Sequence, residues 1–174
     1  METRANVTNW LFIPHPQNIM KFTTLILSLF LAISVVTGAS AKPADADTIT
    51  IAAYDTMNYS LKHIEVRPGQ KLIVVLKNEG TIPKNAMVHN WILLKADADV
   101  NAYAKAALAS GDFQPKALAG EVIAAVPASG GLGPNESAST SFTAPTVPGA
   151  YHYLCTAIGH TMGGAGMRGV LIVK

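Results

Sequence analysis

The stretch "GAYHYLCTAIGHTMGGAGMRGVLIVK", residues 149–174, decides how the rest of the chain is read. Its outer parts, "GAYHYLC" and "GVLIVK", are short runs rich in aromatic and β-branched residues and bounded by glycine, the pattern of strands. Between them the chain carries its one cysteine, Cys155, then His160 five positions on and Met167 seven beyond that. Residues 156–159, "TAIG", predict a loop that turns the chain back at the strand end and aims the thiol and the imidazole at one point. Met167, at the start of the next strand, brings a thioether toward the same point. Thiolate, imidazole and thioether are soft donors, the set that suits copper.

Working outward, "TITIAA", "KHIEV", "KLIVVLKN", "HNWILLK", "EVIAAVP" and "STSFTA" join the two closing runs to make eight predicted strands, with Pro and Gly punctuation between them. Residues 97–111 break the pattern. There Val100, Tyr103, Ala104, Ala107 and Leu108 recur at helical spacing, with Asp99 as N-cap and Ser110-Gly111 as the stop. Eight short strands without βαβ alternation predict an all-β fold, a Greek-key β-sandwich of about eight strands with one inserted helix.

The N-terminal part reads as targeting sequence. Lys21 and the apolar run "FTTLILSLFLAISVV" are followed by the small residues Ala39-Ser40-Ala41, so residues 20–41 form a signal peptide cleaved after Ala41. Residues 1–19 lie upstream of it and read as a mis-called extension. An uncleaved signal is the alternative and would leave the chain anchored at the outer face of the membrane. The expected mature chain, residues 42–174, has the size of one domain. It carries eleven Lys and Arg against ten Asp and Glu, a balance that attracts neither nucleic acid nor a charged membrane surface. The expected compartment is the periplasm, or the outer face of the cytoplasmic membrane. Exported proteins there pair their cysteines. A lone thiol points instead to a metal that occupies it, or to a buried core cysteine.

Five histidines are available. His15 precedes the signal. His63 has strand parity opposite to Ile64 and Val66, which makes it a solvated strand residue. His152 is three residues before Cys155 on one strand, about 10 Å away and on the opposite face, so the two cannot share a metal. His89, in "KNAMVHNWILL" at the mouth of a strand, remains as the second imidazole. Two imidazoles and a thiolate with a long axial thioether form the arrangement used for electron transfer.

With these residues in place, "NEGTIPKNAMVHNWILLK" resembles the first ligand segment of the azurin family, and "YHYLCTAIGHTMGGAGMRGVLIVK" resembles the ligand loop of azurins, auracyanins and plastocyanins. The resemblance extends more weakly over most of residues 42–174. It implies a cupredoxin fold with one type 1 copper ion, held equatorially by His89, Cys155 and His160 and axially by Met167. It also implies that Asn90 and Thr156 hydrogen-bond the two ligand segments together. Trp91 is expected inside the sandwich as packing.

The match has departures. Six residues, "TMGGAG", separate His160 from Met167, more than azurin-like loops have, which keeps Met162 as a rival axial ligand. Val88 stands where azurin has a glycine whose carbonyl approaches the metal. Azurin's disulfide is absent, and the loop lacks its usual proline.

The expected function is one-electron transfer by a soluble, monomeric carrier, not an enzyme, with no small-molecule substrate. Redox protein partners would dock near His160, on an apolar, charge-free patch of Met87, Ala157, Ile158, Gly159 and Met162. Two alternatives stay open. A copper enzyme domain needs a second cluster of histidines, and only His63 and His152 are left over. A copper-binding or storage protein would use the same ligands, whereas a Cys/His hydrolase lacks an orienting group and an oxyanion site.

Overall fold

The computed structural model describes residues 46–161 and 166–174. The expected extension at 1–19, the signal at 20–41 and the rival ligand Met162 lie outside the described residues. All eight predicted strands are present, and pairing adds a ninth. In chain order they are β1 (Asp47–Tyr54), β2 (Asn58–Tyr59), β3 (His63–Val66), β4 (Lys71–Asn78), β5 (Trp91–Leu94), β6 (Val122–Val126), β7 (Ser137–Thr143), β8 (Gly149–Leu154) and β9 (Arg168–Val173). The two-residue β2 is the unpredicted one. It exists because Tyr59 pairs with Ala53 of β1, not because of any pattern of its own.

The strands form two mixed sheets, ordered β2-β1-β4-β7 and β3-β9-β8-β5-β6. Each contains a parallel pair made across the chain, β1 with β4 and β3 with β9. The sandwich core lies between the sheets and includes Ile51, Leu72, Val74, Leu76, Trp91, Leu93, Tyr153, Cys155, Met167 and Leu171. Period-2 burial, as in β4, follows directly from alternating side chains. Each fully buried Leu, Ile or Val contributes about 1.5–3 kcal/mol from the water it leaves.

The inserted helix α1 (Val100–Ser110) forms within a residue or two of its prediction because both of its ends are specified locally. The Asp99 carboxylate accepts from the Asn101 and Ala102 backbone N–H groups, at 2.8 and 3.0 Å. Gly111 ends the helix at φ 65°, a left-handed conformation that glycine adopts without a Cβ penalty. A short 3₁₀ segment follows at Lys116–Glu121. Tyr103 and Ala104 of α1 pack on Ile92, Leu94 and Leu154, the outer face of the five-stranded sheet. For that reason β5 is buried on both faces, at every residue, while β7 alternates between half-buried and exposed.

Candidate metal centre

Antiparallel pairing alone brings the ligand-bearing chain segments to one end of the five-stranded sheet. Ile92 of β5 faces Leu154 of β8, and Leu154 faces Arg168 of β9. The residues entering β5 and β9 and the residue leaving β8 therefore share one pole: His89 with Asn90, Met167, and Cys155. A two-way backbone pair fixes His89, whose N–H donates to the Leu132 carbonyl at 3.0 Å and whose carbonyl accepts from the Leu132 N–H at 2.8 Å. The Cys155 N–H donates to the Met167 carbonyl at 2.9 Å, and the Met167 N–H donates to the His160 carbonyl at 2.6 Å. The 156–159 loop closes as predicted, with the His160 N–H on the Ala157 carbonyl at 3.0 Å.

These bonds put the Cys155 Sγ and one ring nitrogen each of His89 and His160 within 4.8 Å of one another, all three residues buried. Sγ lies 3.4 Å from His160 Nδ1, and the two imidazole ring centres are 4.9 Å apart. Met167 is 1% exposed and belongs to the same core cluster as Cys155. Among the described residues, no other group of three His, Cys, Asp or Glu converges this way. His63 and His152 stay apart and exposed, as their strand parity predicts, with His63 paired to Glu65 at 3.2 Å.

The electrostatics of the pocket are those of a neutral donor cage. Burial pulls the His89 pKa down to about 4, with the neighbouring His160 adding to the effect, and burial lowers that of His160 as well. Burial pushes the Cys155 thiol up to about 11. Both ring nitrogens of His89 are buried with no hydrogen-bond partner among the described residues. Buried polar atoms are normally paired, and an imidazole with both nitrogens orphaned beside a buried thiol fits a metal ligand waiting for its cation. One thiolate, two imidazoles and a nearby thioether are a donor set for copper.

Asn90 and Thr156 make the expected clasp. The Asn90 side-chain N–H donates to Thr156 Oγ1 at 2.7 Å, and the Thr156 backbone N–H donates to Asn90 Oδ1 at 2.8 Å, both in the buried interior. Trp91 is fully buried against Tyr153 and Phe142, as packing requires.

Several contributors escaped the sequence reading. The Thr156 hydroxyl donates a hydrogen bond to the Phe113 carbonyl at 2.7 Å, and the Tyr59 hydroxyl donates to the Asn90 carbonyl. Gly131 accommodates Val88: a Cβ there would stand 2.7 Å from the Val88 Cβ and Cγ2. Each of these contacts is non-local, and one sequence carries no signal that pairs such distant positions.

The surface beside His160 differs from the expected charge-free patch. A cleft of about 420 Å³ is lined by Met87, Val88, Phe113, Ile158 and His160, but also by Lys84. Lys84 binds Glu136 at 2.7 Å, which removes a free charge without removing polarity. Ala157 is buried, and Ile158, 77% exposed, is the large apolar side chain that the cleft presents to solvent.

Comparison with known proteins agrees with this geometry. The chain is 36% identical to the azurin of Bordetella pertussis over 129 residues, covering 71% of this chain and 81% of that protein. It is 39% identical to the azurin of Achromobacter denitrificans over 127 residues, covering 70% and 80%. The reduced auracyanin of Roseiflexus castenholzii superposes with a TM-score of 0.62 at 36% identity, covering 74% of this chain and 98% of that one. Auracyanin A of Chloroflexus aurantiacus, a blue copper protein, does so with a TM-score of 0.61 at 30% identity, covering 74% and 99%. Residues 46–174 match the model of the copper-binding proteins of the plastocyanin/azurin family, and to that family the chain belongs.

Proposed function

We propose that the protein is a one-electron carrier whose single copper ion would be held by His89, Cys155, His160 and Met167. The observation that carries this reading is the convergence of three buried donor atoms within 4.8 Å, one residue having both ring nitrogens unpartnered. Copper in this setting supplies a Cu(II)/Cu(I) couple that accepts and returns one electron.

The residues prepare the site for that exchange. His89 and His160 enter as neutral donors because burial disfavours their protonated forms. Cys155 gives up its proton on binding, so its thiolate offsets part of the metal charge inside the apolar core. The Asn90–Thr156 clasp holds the Cys155 backbone against the His89 segment, which limits rearrangement between oxidation states. Enclosure within the sandwich keeps water from the donor atoms. The cleft beside His160, with the exposed Ile158, is the docking surface for a redox protein.

The protein acts outside the cytoplasm as a monomer, in the periplasm or at the outer face of the cytoplasmic membrane. The signal-like sequence of residues 20–41 supports this placement. N-terminal sequencing of the processed protein checks it, and retention of residues 25–36 would refute cleavage. The function itself is tested by adding Cu(II) to the purified domain. The expected result is an intense blue thiolate-to-copper band that a one-electron reductant bleaches reversibly and that Cys155→Ser abolishes. A band that survives Cys155→Ser, or that fails to bleach, rules out the carrier.

A further inference from the structure

Thr161 and Gly166 bracket residues 162–165 in sequence, and the two meet in space. A Cβ on Gly166 would lie 2.5 Å from the Thr161 carbonyl oxygen and 2.9 Å from its Cα, a backbone approach that needs glycine. The same point is bonded to the ligand residues from three sides. The Met167 N–H reaches the His160 carbonyl, the Cys155 N–H reaches the Met167 carbonyl, and the Thr161 hydroxyl donates to the Cys155 carbonyl. Arg168 closes the arrangement. Its Nη2 donates to the Thr161 carbonyl at 2.9 Å, and both Nη atoms reach Asn101 Oδ1, in the first turn of α1, at 3.4 Å.

We propose that Arg168 is a positioning residue of the copper centre: by holding the Thr161 carbonyl it keeps the base of the ligand loop shut, and so fixes His160 relative to Met167. The inference rests on the copper reading above. A longer loop carries more conformational freedom, and six residues lie between His160 and Met167. A charge-assisted bond to the carbonyl is roughly twice as strong as a neutral one. The planar guanidinium bridges two acceptors, one on the loop and one on α1, which a lysine ammonium does not reproduce.

The test compares Arg168→Gln and Arg168→Lys. Three quantities are read: hydrogen exchange at the Met167 amide in the copper-free protein, the rate of copper loss to a chelator, and the electron paramagnetic resonance signature of the Cu(II) form. Both Arg168 variants are expected to speed Met167 exchange and copper loss about tenfold and to alter the resonance. Unchanged readings in Arg168→Gln overturn the proposal. So does full rescue by Arg168→Lys, which would make the effect one of charge alone. If Arg168→Gln does not fold, Gly166→Ala takes its place, since it forces the Thr161 carbonyl away without touching the guanidinium. Absence of a copper band in the unmutated protein refutes the proposed function, whereas Met167 exchange, read without metal, still decides the clamp.

Discussion

The two sheets are built on different terms. The four-stranded sheet turns one face to the core and leaves the other to solvent, and no donor residue of the metal centre lies on or next to its strands. The five-stranded sheet places His89, Cys155 and Met167 at the ends of three adjacent strands, and α1 covers its outer face across β5 and β8. A sheet packed on both sides resists bending, because interiors at crystal-like density transmit strain instead of absorbing it. The difference teaches that stability is shared by both sheets, whereas metal geometry belongs mainly to one.

Matched truncations break or sustain that division, and they carry the largest expected effect. Leu76 of β4 and Leu93 of β5 are both fully buried. Leu76→Ala and Leu93→Ala are each expected to cost about 2–5 kcal/mol in denaturant unfolding. Only Leu93→Ala is expected to alter the copper band and the reduction potential, because Leu93 lies four residues from His89 and pairs with Tyr153, two residues before Cys155. Equal spectral changes in the two variants would show that the sheets share the metal geometry after all.

The next effect separates the metal pole from everything else by pH. His89 is held neutral, with its pKa pulled from 6.5 to about 4 by burial. Between those values the unfolded chain binds the proton that the folded chain refuses. Stability of the copper-free protein therefore falls as pH drops through 6.5 and stops falling below about 4, a loss of about 3 kcal/mol at most from this group. Thermal melts of copper-free protein against pH check the sign. His89→Gln flattens that part of the profile, and a profile unchanged by His89→Gln would contradict the assignment.

What could be read from the sequence follows the same line between local and distant causes. α1 was legible because Asp99 and Gly111 act on their own neighbours. The donors Cys155, His160 and Met167 were legible because one loop spans them, and His89 because the other histidines fail on strand parity. β2 was not legible, since two residues carry no period and it is made by its partner. The two parallel pairings, the Phe113 carbonyl behind Thr156 and the fit of Gly131 to Val88 depend on residues far apart in the chain. Arg168 was visible as a charge after Met167, but its acceptors at Thr161 and Asn101 exist only once the loop and the helix are assembled.

Asn78 is where the four-stranded sheet reaches the metal pole, and it sharpens the comparison with a smaller effect. It ends β4, is 3% exposed, and donates through Nδ2 at 2.9 Å to the Leu132 carbonyl, which also accepts the His89 N–H. Its Oδ1 accepts from the Gly80 N–H at 2.8 Å. Asn78→Ala leaves that N–H unpaired and relaxes the Leu132 segment, so about 2 kcal/mol of stability is lost. The expected spectral change is smaller than in Leu93→Ala and larger than in Leu76→Ala, and absorption spectra of the three copper-loaded variants rank them.

The smallest effect concerns the exposed pair at the rim of the cleft. Lys84 binds the Glu136 carboxylate at 2.7 and 2.9 Å, and that carboxylate also accepts from the Gly133 N–H at 2.9 Å. The Lys84 stem lies against Gly133, where a Cβ would come within 2.7 Å of it. Both charged side chains are roughly half exposed. Surface pairs of this kind contribute about 0–1 kcal/mol and weaken as salt screens them. Lys84→Gln should therefore leave unfolding almost unchanged and the copper band untouched, while freeing the Glu136 charge at the edge of the proposed docking surface. If that surface works through Ile158 and its apolar neighbours, electron exchange with a neutral partner changes little, whereas exchange with an anionic partner slows, most clearly at low salt. Stopped-flow rates at two ionic strengths read this directly. A drop in stability well above 1 kcal/mol would instead mean that the pair braces the turn carrying Leu132, and with it His89.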